Sequence, residues 1–269
     1  MQISSYNSLN EIFFLQFEKY QNEDHLFFNN LNLKKFQTYT WADTNNNVLK
    51  LAKFLNEKKI IKGDRVLLVS ENRPEWLIAD LAILLNSGIT VPNYTTYTVN
   101  DFAFTINDCK PSGLIVSSPQ LLKNILLAAR KINYNFNFII LLNETNEVVA
   151  DNVINFSTII EKKIDIEETK IFFKKINKSL IRKDPACIIY TSGTQGTPKG
   201  VVLSHGGILK NCEGALEFLY FIKEQQNTFV TWLPLSHSYE HTVQFVQLSL
   251  GAKIFYSESL DKLLANLKI

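Results

Sequence analysis

The run GDRVLLVSENRPEWLIADLAILLNSGITVP, residues 63–92, carries a strand, a helix and a second strand in succession. RVLLVS is a compact apolar run of strand length. Pro74 stands where a proline suits the first turn of a helix, and the residues through Leu85 are apolar on nearly every side, which predicts a buried helix over 74–85. GITVP follows as a short strand. A strand feeding a helix feeding a strand is the repeating unit of a parallel sheet.

The unit repeats in both directions. Upstream, Val48, Leu49, Ala52 and Leu55 recur at helical spacing, and Gly63 is expected to close that helix. Downstream, Thr98 and Asp101 form a capping box ahead of DFAFTIND, and GLIVSS, the helix around LLKNILLAARKI, and FNFIILLN continue the alternation. The strands are apolar on both faces, so the fold class is α/β, with mostly parallel sheets flanked by helices. Ligands on that architecture sit beyond the carboxyl ends of the strands. Residues 143–183 break the pattern with mixed charge and read as a surface connection plus a solvated helix.

Composition bounds the function classes. With 269 residues and 46% apolar content the chain can bury a sizeable core, and a net charge of only +2 offers no argument for nucleic acid. Cys109, Cys187 and Cys212 are odd in number and lack metal-type pairing, which reads as buried thiols in a reducing compartment. The N-terminal stretch MQISSYNSLNEIFFLQFEKY has no basic start and predicts an amphipathic helix rather than a signal peptide. WLIADLAILLNSGITV is interrupted by Asp80, Asn86 and Gly88 and is too short to span a bilayer. The expected location is cytoplasmic, with peripheral contact at the inner membrane face at most.

The stretch 190–200, YTSGTQGTPKG, is the richest in candidate chemistry. The strand ACIIY runs into it and the apolar run VVLS follows, so the loop is held at a strand end. Backbone N–H groups at Gly193, Gly196 and Gly200, hydroxyls at Thr191, Ser192, Thr194 and Thr197, and the Lys199 ammonium suit a polyphosphate. A hydroxyl-rich hairpin is the plainer alternative. The spacing excludes a P-loop, since two residues separate Gly193 from Gly196 and Gly200 follows Lys199. Pro198 also disfavours a helix start at that lysine. The dinucleotide GxGxxG pattern is absent.

YTSGTQGTPKGVVLSH closely resembles the phosphate-loop signature of the adenylate-forming, or AMP-binding, superfamily, which includes acyl-CoA synthetases, firefly luciferase and peptide-synthetase adenylation domains. TWLPLSHSYEHTVQF, residues 231–245, is similar to a second motif of that family, lining the acyl and nucleotide pocket. The resemblance runs from about residue 39 to the end through YTWADTNNNVLKLAKFL, GDRVLLVSENRPEW and GITVPNYTTYT, and is nearest to the long-chain fatty acid CoA ligase branch.

That resemblance implies a reaction in two steps. A carboxylate attacks the α-phosphorus of ATP to give acyl-adenylate and pyrophosphate, and the thiol of coenzyme A then displaces AMP. It implies that Thr191, Ser192, Gly193, Thr194, Gln195, Gly196, Thr197, Lys199 and Ser238 contact the nucleotide, with Thr191, or Thr194 in its place, the hydroxyl nearest Mg²⁺, and that Lys199 and His237 are catalytic. His237 would stand beside the reacting carboxylate and the α-phosphate. His205 is expected to start a helix beside the cap Ser204, while His241 falls where some relatives carry a bulky gate to the acyl tunnel. Glu240 reads equally as a polar neighbour of the adenylate or an exposed loop acid. Tyr94, Tyr97, Trp232 and Tyr239 read as pocket walls or as core.

The implied ligands are fatty acid, ATP and CoA, with Mg²⁺; other acids, and a carrier-protein thiol in place of CoA, stay open. The family's later motifs for adenine, ribose and the Mg²⁺ carboxylate find no counterpart before Ile269. Residues 1–269 are accordingly expected to be a partial adenylation domain without the small C-terminal domain, inactive alone. A non-catalytic remnant that binds nucleotide or acyl groups, or serves as an interaction module, is the alternative.

Overall fold

Val66 and Leu68 of one strand enter one hydrophobic cluster and Leu67 and Val69 enter another, and all four are buried. This two-residue alternation with apolar residues on both sides makes the strand a central one, covered on each face. A computed structural model describes residues 3–30, 35–144, 152–191, 198–222 and 227–257.

In chain order the elements are α1 (Leu9–Tyr20), β1 (Asp24–Asn30), β2 (Lys35–Thr40), α2 (Trp41–Glu57), β3 (Arg65–Val69), α3 (Pro74–Leu85), β4 (Ile89–Asn93), α4 (Val99–Cys109) and β5 (Gly113–Val116). Then come α5 (Pro119–Lys131), β6 (Phe138–Leu141), β7 (Val153–Asn155), α6 (Phe156–Ile160), α7 (Ile166–Asn177), β8 (Pro185–Thr191), β9 (Lys199–Ser204), α8 (His205–Phe218), β10 (Thr228–Thr231), α9 (Ser238–Ser249) and β11 (Lys253–Tyr256). Among the described residues the strands form two sheets.

The larger sheet has seven strands in the order β7-β6-β5-β3-β4-β8-β9, parallel except for the antiparallel pair β8–β9. β3, its first strand in the chain, lies inside the sheet, with β4 on one side and β5 on the other. The chain therefore reverses its direction of winding around β3, and the carboxyl ends of β3, β4 and β8 share one end of the sheet, where such folds place ligands. The smaller sheet has the order β10-β11-β1-β2, in which β11 is parallel to β1 and β10, and β1 is antiparallel to β2. Its Leu26, Ile254 and Tyr256 share a core with Val66, Leu68 and the apolar side chains of α3 from Trp76 to Leu85, so the two sheets pack around common apolar material.

Local chemistry explains the helix ends. Thr98 Oγ1 accepts the Asp101 N–H at 3.3 Å while Asp101 Oδ2 takes the Thr98 N–H at 2.8 Å, completing the capping box. The Thr40 hydroxyl and Asp43 do the same for α2. Helix α2 does not run to Gly63: it ends at Glu57, and Lys59 takes the left-handed conformation (φ 62°) that stops it. Gly63, at φ 88°, makes a later turn into β3, where its N–H reaches the Ser87 carbonyl. The charged stretch 152–183 contains β7, α6 and α7, and α7 is half-buried rather than merely solvated, because Phe173 and Thr169 face inward. All three cysteines are free and buried. No helix among the described residues is long and apolar enough to cross a membrane.

Candidate active site

β8 delivers its last residue, Thr191, directly opposite Lys199, the first residue of β9. Paired strands stand about 5 Å apart, so the segment between them leaves and re-enters the sheet at one place. Ser192, Gly193, Thr194, Gln195, Gly196 and Thr197 lie outside the described residues; Thr191 and Lys199 are both exposed at the base of that segment. Pro198 precedes a strand, not a helix. Gly200 has a steric reason of its own, since a Cβ there would come within 3.0 Å of the Ile188 side chain and 3.2 Å of the Tyr190 ring. Tyr190 is held by a 2.6 Å hydrogen bond from its hydroxyl to Asp108 and by an edge contact with Phe104.

Across from β8 the chain enters α9. The His237 N–H donates to the Pro234 carbonyl at 2.9 Å, closing a turn, and His237 then serves as the N-cap. Its Nδ1 accepts the Tyr239 N–H at 3.2 Å. In the neutral ring a nitrogen that accepts has no proton, so the proton sits on Nε2, which is left as a donor. A cleft of about 290 Å³ is lined by Tyr94, Tyr97, Ile189, Tyr190, Thr191, His237 and Ser238. Thr191, His237 and Ser238 are thus brought together, while Lys199 is one strand away beside Thr191. Tyr94 and Tyr97 wall the cleft, whereas Trp232 (43% exposed) and Tyr239 (62% exposed) project to solvent and are neither wall nor core.

A hydroxyl and an ammonium at one strand end, facing an imidazole donor and a helix N-terminus, form a set of donors suited to an anion. Among the described residues no three His, Cys, Asp or Glu side chains gather as metal ligands. A Mg²⁺ bound with a nucleotide requires only one or two protein oxygens, the rest being phosphate and water, and the Thr191 hydroxyl is an oxygen of that kind.

The sequence model of AMP-binding enzymes matches residues 13–268. The chain belongs to the AMP-binding enzyme family. This AMP-binding chain is 28% identical to human long-chain-fatty-acid–CoA ligase 6 over 202 residues, covering 73% of the chain and 29% of that protein. It is 32% identical to the peroxisomal long chain acyl-CoA synthetase 7 of Arabidopsis thaliana over 206 residues, covering 76% of the chain and 29% of that protein. It therefore spans about a third of the length of these curated relatives. Among solved structures it is similar to a long-chain-fatty-acid-CoA ligase from Archaeoglobus fulgidus (TM-score 0.75, 19% identity, 97% of this chain and 50% of that one). It is also similar to the luciferase-like enzyme of the mealworm Zophobas morio (TM-score 0.78, 18% identity, 97% and 57%). These likenesses establish the α/β fold of adenylate-forming enzymes.

One site expectation needs correction within this AMP-binding fold. Glu240 is not an exposed loop acid: it lies in the first turn of α9 at 4% exposure, and burial raises its carboxyl to about 7 against a weaker opposing hydrogen bond from Thr231. His241, at the position where some relatives carry a gate, has a partner of its own. It is buried, with Nε2 2.8 Å from Asp80 Oδ2, and Asp80 Oδ1 takes the Thr90 hydroxyl at 2.6 Å. His205 begins α8 behind the cap Ser204, and its Nδ1 accepts the Leu9 N–H at 3.3 Å, a structural role.

Sequence reasoning missed Asn72, which bonds the loop before His237; its partners are too remote along the chain to leave a local pattern. For Asp80 a signal existed. A lone acid in a helix buried all round needs a buried partner.

Proposed function

We propose that this chain supplies the phosphate side and the carboxylate side of an ATP-dependent fatty acid ligase, which forms acyl-adenylate and then acyl-CoA. The observation that carries the reading is the placement of Thr191, opposite Lys199 in the β8–β9 register, in the same cleft wall as His237 and Ser238. The names of the relatives point to long-chain fatty acids as the substrate class.

Charge leaves with pyrophosphate as the carboxylate attacks, and donors placed in advance stabilise it without reorganisation. Lys199, Thr191 and the 192–197 segment hold the β- and γ-phosphate oxygens. The Nε2–H of His237 donates to the oxygen on which charge develops at the reacting centre, and the N-terminus of α9, beginning at Ser238, adds its positive end. The Thr191 hydroxyl would be this chain's contact to a Mg²⁺ bound with the nucleotide, which would supply neutralisation of phosphate charge. The tyrosine-lined wall of the cleft, Tyr94 and Tyr97, suits the carboxylate end of an apolar acid. Thiolysis by CoA then follows at the carbonyl held near His237.

The test is palmitate-dependent exchange of pyrophosphate into ATP by the protein carrying this chain. Exchange that falls by about 100-fold in His237→Ala, the scale of losing one such donor, supports the reading. ATP binding without any acid-dependent exchange points instead to a nucleotide-binding module.

A further inference from the structure

The side chain of Asn72 ties the loop that carries His237 to the larger sheet. Asn72 follows β3, and its Nδ2 donates to the Leu233 carbonyl at 2.6 Å while its Oδ1 accepts the Leu235 N–H at 3.0 Å. A carboxamide thus meets backbone groups two residues apart, on a loop joining β10 of the smaller sheet to α9. Of the short side chains only asparagine offers both a donor pair and an acceptor in one plane; aspartate offers acceptors alone.

The connection onward is short. Leu235 and Ser236 are buried, the Pro234 carbonyl takes the His237 N–H, and the His237 ring is fixed through Tyr239 N–H. The body of α9 is anchored separately, because His241, one turn in, is paired with Asp80 of α3. Loss of Asn72 would leave the Leu233 carbonyl and the Leu235 N–H without these partners while the helix behind them stays in place, so the loop has reason to rearrange at His237 in particular.

We propose that Asn72 is a positioning residue that sets the place and tautomer of the His237 imidazole at the cleft. Its bearing on catalysis rests on the adenylation reading given above. The geometric claim does not.

The chain has only four histidines, His25, His205, His237 and His241, so their ring nitrogens can be followed one by one in a ¹⁵N-labelled sample, with His237→Gln supplying the assignment. The wild-type protein, at a pH where the ring is neutral, should show His237 as the Nε2–H tautomer. In Asn72→Asp, which keeps the shape and loses the donor, the His237 resonances should move toward a tautomer average while those of His205 and His241 stay put. An unchanged His237 signature in the folded variant overturns the proposal, and so does an equal shift of all the histidines, which marks a global change. Asn72→Ala, removing both bonds without adding charge, is read the same way should the aspartate variant fail to fold.

Mg·ATP binding and palmitate-dependent exchange are measured for the same substitutions in the protein carrying this chain. The expected result is an ATP affinity within about twofold of wild type and an exchange kcat lower by about tenfold or more, the scale of a misplaced catalytic group. Wild-type protein that binds no ATP removes the adenylation reading and leaves the His237 signature to decide the role of Asn72.

Discussion

His241 Nε2 stands 2.8 Å from Asp80 Oδ2, and the two side chains are 1% and 0% exposed. Burial alone pushes an imidazole toward its neutral form, but the adjacent carboxylate, with a contribution from Cys187, outweighs it and raises His241 to about 10. A buried charged pair joins α9 to α3, and the Thr90 hydroxyl on the second Asp80 oxygen extends the tie to β4.

Removing one member of a buried pair leaves the other uncompensated, which costs about 3–5 kcal/mol. Asp80→Asn should lose stability on that scale at pH 6, read from urea unfolding. The sign of the pH dependence follows from a raised folded value: the contribution is complete below the unfolded imidazole value near 6.5 and is lost as pH climbs toward about 10. The gap between wild type and Asp80→Asn should therefore narrow over that range. A gap that widens with pH would mean that His241 is neutral in the folded chain.

Glu240 gives an opposite experiment with a gain of stability. Its carboxyl is raised to about 7 by burial, so ionisation opposes folding, and that penalty sets in as pH rises from the ordinary carboxylate value through about 7. Glu240→Gln removes the charge and should stabilise the protein by about 3 kcal/mol at pH 8, since each tenfold change in proton affinity is worth about 1.4 kcal/mol, with little effect at pH 4. Equal effects at both pH values would contradict this account of the side chain.

Gly113 lies in β5 beneath the Phe138 ring of β6, where an added Cβ would come within 2.1 Å of the ring. Gly113→Ala is expected to cost about 1–3 kcal/mol through overpacking, and Phe138→Leu in the same chain should recover part of it. Additive losses in the double variant would show that the two positions do not compete for one space.

The α3 unit was legible because its punctuation is local: Pro74 opens the helix and Leu85 closes it, as the residues predict. The Thr98–Asp101 box was readable for the same reason. The end of α2 was not, because Lys59 takes a left-handed conformation that no residue type announces, and the glycine that does announce one serves the next turn. The smaller sheet was equally hidden. Leu26 pairs with Ile254 from the other end of the chain, and a parallel pairing of that reach has no trace in the neighbouring residues. At the site, Thr191 and Lys199 stood out as phosphate donors in a loop held at a strand end, and His237 was singled out through motif resemblance. The burial of Glu240 was not legible, since it depends on how β10 and β11 pack against α9.

The thiols supply a check on compartment-independent chemistry. Cys109 and Cys212 are raised to about 11 and about 12, chiefly by burial, and Cys187 is buried as well. Thiolate is the reactive form. A thiol reagent at pH 8 should label none of the three in the folded protein during a time that suffices to label all three in urea; rapid labelling of one in the folded state would reveal an opening at that site.

The central claim is that the end of the β8–β9 pair, where Thr191 stands opposite Lys199, grips the phosphates of ATP, and its most direct measurement is calorimetric titration of Mg·ATP into the 269-residue chain and into Lys199→Ala. Saturable binding by the wild type, weakened about tenfold or more when the Lys199 ammonium is removed, a loss near the roughly 1.4 kcal/mol that one decade represents, is the predicted result. Equal affinity in the two proteins, or no binding by the wild type, would contradict it.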